Sequence, residues 1–463
     1  MKKIILFCAA LAVANLMLAQ SNTAEQTKTD KPKKVKASLY GFVRNYFNYD
    51  SRNSYVSNGG EYYMLPYDEK WNCATQAQAD ALGIERFDQN AVPQAHFLAL
   101  TTRFGLNLEG PDVLGAATSG KIEADFAGFS TTNTVLRIRH AYVKLNWNNG
   151  KGLTQELLAG QTWHPLSGDI MPEALGMAAG APFRAHSRTP QLRYILYNGH
   201  IGFTAAAIYQ LQYMYNGPSY SSTGWSSTNS TSFANTAVMP ELFLGVQYKD
   251  EHIYTQIGST CQPLRPRTVG MVERGTGLLY DYPVPVNELL VTFTPTLYFQ
   301  YTQNIFSVKF RTMLAQNTSH VNQLNGYAVT NVLEDGTWEY APLKASISYL
   351  DFAVGKKYRA NLFLGYMKNF GAGQDLHNFN PATSPASHYY IYMKGGENFT
   401  HLNSIYRIAP SVSYNLPHFN FGLEYEWTAC TYGDIATDGS ILNNDNLHQV
   451  SNHRICALIK YNF

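Results

Sequence analysis

His418–Thr428 reads HFNFGLEYEWT. Phe419, Phe421, Leu423, Tyr425 and Trp427 fall on one parity, and Asn420, Gly422, Glu424, Glu426 and Thr428 on the other. Strand side chains alternate between faces, so this segment presents one wholly apolar face and one face with two carboxylates. The preceding segment does the same, with Arg407, Ser411 and Ser413 opposing Tyr406, Ile408, Pro410, Val412 and Tyr414. So do residues 98–108 and 203–212.

Sixteen such segments follow one another, beginning near residues 37, 93, 120, 134, 155, 190, 201, 239, 251, 287, 304, 338, 357, 402, 418 and 449. Their connections alternate in length. Short ones fall near 110–120, 147–154, 198–200, 249–251, 302–304, 354–357 and 416–418. Long ones cover 50–92, 164–189, 214–238, 261–286, 317–337, 371–401 and 431–448, with 129–133 the one brief member. A soluble sandwich gives no reason for this alternation. A transmembrane barrel does, because its strands are even in number and its turns are short on one side of the membrane and long on the other. Lipid requires an apolar outer face and a closed sheet with every backbone group paired. The expected fold is therefore all-β: a transmembrane antiparallel β-barrel of about sixteen strands, spanning 37–463.

The composition fits this reading. Of 463 residues 15% are charged and 14% aromatic, which excludes a disordered chain and a coiled coil. Mean hydropathy is −0.24, and beyond residue 20 no apolar run reaches the length of a spanning helix. The first residues are different. Lys2 and Lys3 precede an apolar stretch, Ile4–Ala14, and Ala19 offers a cleavage point, so 1–19 reads as a signal peptide. Its loss removes two lysines and no acid and leaves the mature chain neutral, which takes away the electrostatic case for nucleic-acid binding. Residues 20–36 read as a flexible periplasmic leader. Cys73 and Cys261 sit where an oxidising compartment would allow a disulfide. Cys456, in a strand, reads as a small hydrophobe.

At the far end His453, Ile455, Ala457, Ile459, Tyr461 and Phe463 share one parity. Terminal aromatics on an outward face suit an interfacial girdle, and Tyr461 and Phe463 resemble the assembly signal of outer-membrane proteins.

Several stretches resemble the porins of the Bacteroidota outer membrane: Tyr40–Asp50 (YGFVRNYFNYD), Arg103–Phe129 (RFGLNLEGPDVLGAATSGKIEADFAGF), Leu136–Trp147 (LRIRHAYVKLNW), Ala159–Pro165 (AGQTWHP) and Tyr406–Glu426 (YRIAPSVSYNLPHFNFGLEYE). The GPD…GA.TSG turn is the most specific. The resemblance implies a water-filled pore, a homotrimer, lipid and lipopolysaccharide around it, and insertion by the barrel assembly machinery. It carries no code for the solute.

Charged side chains facing a watery lumen set the field that selects solutes. The inward-parity candidates are Arg44, Arg103, Arg193, Arg311, Arg407 and Arg454, with Arg137 and Arg139 from one strand, and the acids Glu123, Asp125, Glu424 and Glu426. On a lipid face an Arg near mid-membrane would cost about 2–4 kcal/mol. In the strand at 134–147 the parity is ambiguous, because Arg137 and Arg139 disagree with His140 and Lys144; a bulge near His140 would reconcile them. The third long-side loop, 164–189, holds Asp169, Glu173, Arg184 and Arg188. It is the candidate constriction loop, with Asp169 and Glu173 expected to face the arginines. Tyr55, Tyr62, Tyr63, Tyr67 and Trp71 in the first loop could stack on sugar rings.

Catalytic signatures are missing: no HExxH, GxSxG, CxxC, P-loop or GxGxxG. The thirteen histidines show no tight ligand spacing, so no metal and no cofactor are expected. The leading expectation is passive diffusion of small hydrophilic solutes. The alternatives are a substrate-specific sugar or peptide porin, and a surface receptor or adhesin on a plugged barrel.

Overall fold

The structure is a computed structural model that describes residues 34–57, 60–128, 135–150, 152–168, 171–173, 175, 180–221, 224–273, 281–379 and 389–463. The signal-peptide segment, most of the leader and Asp169 lie outside these residues.

Sixteen antiparallel strands form one closed sheet. They are β1 (Lys36–Asp50), β2 (Gln94–Leu98, continued by Arg103–Glu109), β3 (Ala117–Gly128), β4 (Val135–Asn148), β5 (Leu153–Trp163), β6 (Arg188–Asn198), β7 (Ile201–Ile208), β8 (Glu241–Lys249), β9 (Ile253–Leu264), β10 (Leu290–Gln303), β11 (Phe306–Gln316), β12 (Lys344–Gly355), β13 (Tyr358–Asn369), β14 (Leu402–Asn415), β15 (Phe419–Tyr432) and β16 (His448–Asn462). Each pairs with its neighbours in the chain, and β1 pairs with β16 from Phe42↔Asn462 to Asp50↔Arg454. Gly41 and Phe463 exchange main-chain hydrogen bonds of 3.1 Å in both directions, which extends that seam to the last residue. Closure leaves no strand edge unpaired, as a barrel in lipid requires.

The outward parity is apolar and exposed around the barrel: Val43, Phe47, Phe97, Ile122, Leu244, Ile257 and Leu423 are examples. An exposed apolar band of that extent is a lipid-facing surface and not a water-facing one. The inward parity is buried or half-buried.

The structure differs from the sequence reading in four places. First, β2 is broken at 99–102, where Thr102 N–H turns back to the Ala99 carbonyl (3.0 Å) and the Thr102 hydroxyl accepts the Arg44 N–H (3.1 Å). Second, β7 ends at Ile208, because Gln210 turns inward to donate to Ser187 Oγ (2.9 Å) and the His320 carbonyl (2.5 Å). Third, the segment at 338 is not a barrel strand. Trp338–Pro342 pairs with Gly326–Val332 in a sheet of the long loops, and β12 starts after Pro342, which has no N–H to continue the ladder. Fourth, Cys73, Cys261, Cys430 and Cys456 are all free thiols, so no disulfide joins Cys73 to Cys261. The open register of β4 resolves as a bulge: Glu123 pairs with His140 and Ala124 with Ile138, so Arg139 is the extra residue. Arg137, Arg139 and His140 therefore all turn inward.

Candidate functional site

The inner wall of β1–β4 carries a charge network. Arg137 Nε meets Asp125 Oδ1 at 2.7 Å and Arg137 Nη2 meets Glu61 Oε1, from the first loop, at 2.8 Å. Arg139 bridges Glu123 Oε1 and Asp125 Oδ2, both at 2.6 Å. Arg103 reaches Glu123 at 3.4 Å, and the Tyr40 hydroxyl donates to the other Glu123 oxygen at 2.7 Å. Asp125 is fully buried and Arg139 nearly so. Charges so buried persist only when paired and hydrogen-bonded, and here the bulge at Arg139 provides the extra inward side chain that pairs both acids. Glu61 was not among the sequence candidates, since it lies in a loop without a parity.

The wall of β11–β15 is different. Toward the long loops its inward residues are apolar, including Met313, Ile347, Tyr349, Phe363, Met367 and Ile405. The first and third long loops fold into the barrel and pack there. Tyr62–Pro66 is buried throughout. Arg407 ties both loops to the wall, donating to Met64 O (2.9 Å), Ala181 O (2.6 Å) and Thr428 Oγ1 (2.8 Å). Two glycines act as notches. A Cβ at Gly365 would lie 2.4 Å from the Phe183 ring, and one at Gly422 would lie 2.6 Å from Leu175. The aromatic first loop is thus partly spent on internal packing: Tyr62 and Tyr63 are buried, and Tyr62 donates to or accepts from His186 Nδ1 at 3.0 Å.

Glu173 does not meet the arginines of β1–β4. It pairs with Lys309 of β11 (3.2 Å) and with Arg359 of β13, whose Nη2 donates to Oε1 at 2.7 Å. Its own N–H donates to Asp351 Oδ2 (2.9 Å), and Leu175 N–H donates to Glu424 Oε2 (2.7 Å). Burial opposes ionisation of Glu173, but the Arg359 hydrogen bond and the Lys309 charge hold its carboxyl below the usual range. The other candidates also face inward. Arg454 lies 3.7 Å from Asp50, Arg311 reaches the Pro165 carbonyl at 3.5 Å, Glu426 lies 4.0 Å from Arg407, and Arg193 is buried.

Arg184 and Arg188 are fully buried against the Trp163 ring, at 4.8 and 4.5 Å from its centroid. None of their guanidinium nitrogens has a hydrogen-bond partner among the described residues. Burial, then the charges of Arg184 and Arg188, push His186 well below its ordinary pKa, so that ring is neutral at neutral pH.

One cluster joins His164, the site-like histidine beside Trp163 in the third loop, to two residues that no motif links to it. His164, Glu241 and His320 meet, with His164 Nε2 3.3 Å and His320 Nε2 3.0 Å from the two Glu241 oxygens. The Leu166 N–H donates to His164 Nδ1 (3.1 Å), and the Gln262 amide nitrogen faces His320 Nδ1 (3.1 Å). Of the two rings, His320 Nε2 hydrogen-bonds Glu241 Oε2, while His164 Nε2 and Glu241 Oε1 lie close without hydrogen-bond geometry. The cluster joins the third loop to β8 and the loop after β11, with one ligand-type atom from each residue within 4.8 Å of the others.

No family model and no curated protein matches the chain. Solved structures do. The chain is similar to the outer membrane channel DcaP of Acinetobacter baumannii, with a TM-score of 0.58 and 15% identity over 93% of this chain and 98% of that one. It is also similar to an anion-selective porin from Comamonas acidovorans, with a TM-score of 0.50 and 11% identity over 93% of this chain and all of the other. At these identities the likeness establishes the barrel fold.

Proposed function

We propose that the chain is a porin of the Bacteroidota type, placed in the outer membrane and passing small hydrophilic solutes by diffusion through the barrel. One observation carries the reading: a closed barrel apolar outside and charged inside, with the third long loop drawn into its interior. Lipid accounts for the outer face, and only a hydrated path gives the inward arginines and acids a use. On this reading residues 1–19 direct export, Tyr461 and Phe463 present the assembly signal, and the barrels associate as homotrimers in lipid and lipopolysaccharide. The charged side chains select among solutes, and no reaction is catalysed.

The apolar packing of the first and third loops against β11–β15 favours a narrowed path, as in a substrate-specific porin, over a wide one. Reconstitution in a planar bilayer under a potassium chloride gradient tests the reading. Stable current steps grouped in threes are expected. Absence of any current from heat-modifiable, folded protein would replace it with the receptor or adhesin reading.

A further inference from the structure

Phe42 lies on the inner wall, half-buried, where β1 meets β2 and β16. Three cations converge on its ring: Lys460 Nζ at 4.3 Å, Arg103 Cζ at 4.6 Å and Arg44 Cζ at 5.7 Å from the centroid. Arg103 sits directly across from Phe42, and Lys460 directly across from Arg44. Like charges at directly opposed positions repel and destabilise a strand pair. The acids nearby do not offset them. Glu123 meets Arg103, but Arg139 and the Tyr40 hydroxyl already engage its oxygens. Neither Arg44 nor Lys460 has an acidic partner within 4.0 Å among the described residues, and the Nε atoms of Arg44 and Arg103 are buried without an acceptor. Arg44 also lies 4.7 Å from the Tyr46 ring, but cation–π attraction to either ring satisfies no N–H donor. All three side chains keep partial exposure to the interior.

We infer that Arg44, Arg103 and Lys460 form a binding site for a small oxyanion, a carboxylate or a phosphate, held over Phe42 on the barrel's inner wall. Two planar guanidinium forks suit the paired oxygens of such a group, and the ammonium adds a point charge. The ligand relieves a repulsion that the fold otherwise bears, so binding raises stability. The site deepens the porin reading by giving the solute's chemistry, and only its transport arm rests on that reading.

Inorganic phosphate is the probe. Calorimetric titration of the detergent-solubilised protein should give saturable binding of one phosphate per chain. Lys460→Gln should weaken it by about tenfold or more, and Lys460→Arg should restore most of it. Phosphate should raise the unfolding temperature of the wild type, and K460Q should be more stable than wild type without phosphate. No saturable binding, or equal binding by wild type and K460Q, overturns the site. If K460Q does not fold, the wild-type titration and its phosphate-dependent unfolding temperature decide alone. In bilayers, phosphate should reduce the chloride current of wild type more than that of K460Q. A wild-type protein that binds phosphate but passes no current keeps the site and removes the porin reading.

Discussion

On β1–β4 the inward parity carries Arg44, Arg103, Glu123, Asp125, Arg137 and Arg139. On β11–β15 the same parity, toward the long loops, carries Met313, Ile347, Tyr349, Phe363 and Ile405. One strand period thus writes two surfaces inside one barrel. The apolar sector holds the first and third loops by ordinary hydrophobic burial, as the core of a soluble domain would. The charged sector is left to face what remains of the interior. The apolar wall takes most of the loop packing, while the charged wall meets the first loop at Glu61, which pairs with Arg137.

The comparison breaks most sharply if the charged sector proves dispensable. Asp125→Asn leaves Arg137 and Arg139 each short of a buried partner, and an uncompensated buried charge costs about 4 kcal/mol. The temperature at which unboiled protein shifts its gel migration should fall markedly. Phe183→Ala is the counterpart on the apolar sector. It empties the notch at Gly365 and should cost about 3 kcal/mol, with a larger single-channel conductance as the third loop loosens. A variant with wild-type conductance would show that the loop is held elsewhere. Leu175→Ala, at the half-buried Gly422 notch, should act the same way at about 2 kcal/mol.

The two sectors were not equally legible. Strand parity told which side chains turn inward, because lipid forbids the alternative. It also flagged β4 as irregular, and the bulge at Arg139 is the irregularity. Parity says nothing of loops and so does not reach Glu61, whereas Lys460 stands on the inward parity of the last strand, opposite Arg44. The seat of the third loop was illegible for a different reason. Glu173 and Arg359 are 186 residues apart, and His164 and His320 are brought together only by the loops' folding inward. Asp169 lies outside the described residues, so only the Glu173 half of the expected pair has a seat, and its partners are Lys309 and Arg359 of β11 and β13.

The smallest expected effect sharpens the comparison by pH. The charged sector's Glu123 and Asp125 are each held by two or more partners, whereas among the described residues Glu173 is the one acid of the third loop paired with β11 and β13. That tie is partly solvated, so Glu173→Gln should cost only about 1 kcal/mol. Its pKa is depressed in the folded protein, so its contribution is complete above the ordinary titration range of Glu, about 4.3, and disappears as pH falls through the lower folded value. Wild-type conductance should therefore stay level to about pH 4.5 and change below it as the loop's tie is protonated. In Glu173→Gln the altered conductance should be present at neutral pH, and the acid step should be missing. An acid step of full size in that variant would move the sensitivity to another carboxyl, with Asp351, which accepts the Glu173 N–H, the first to test.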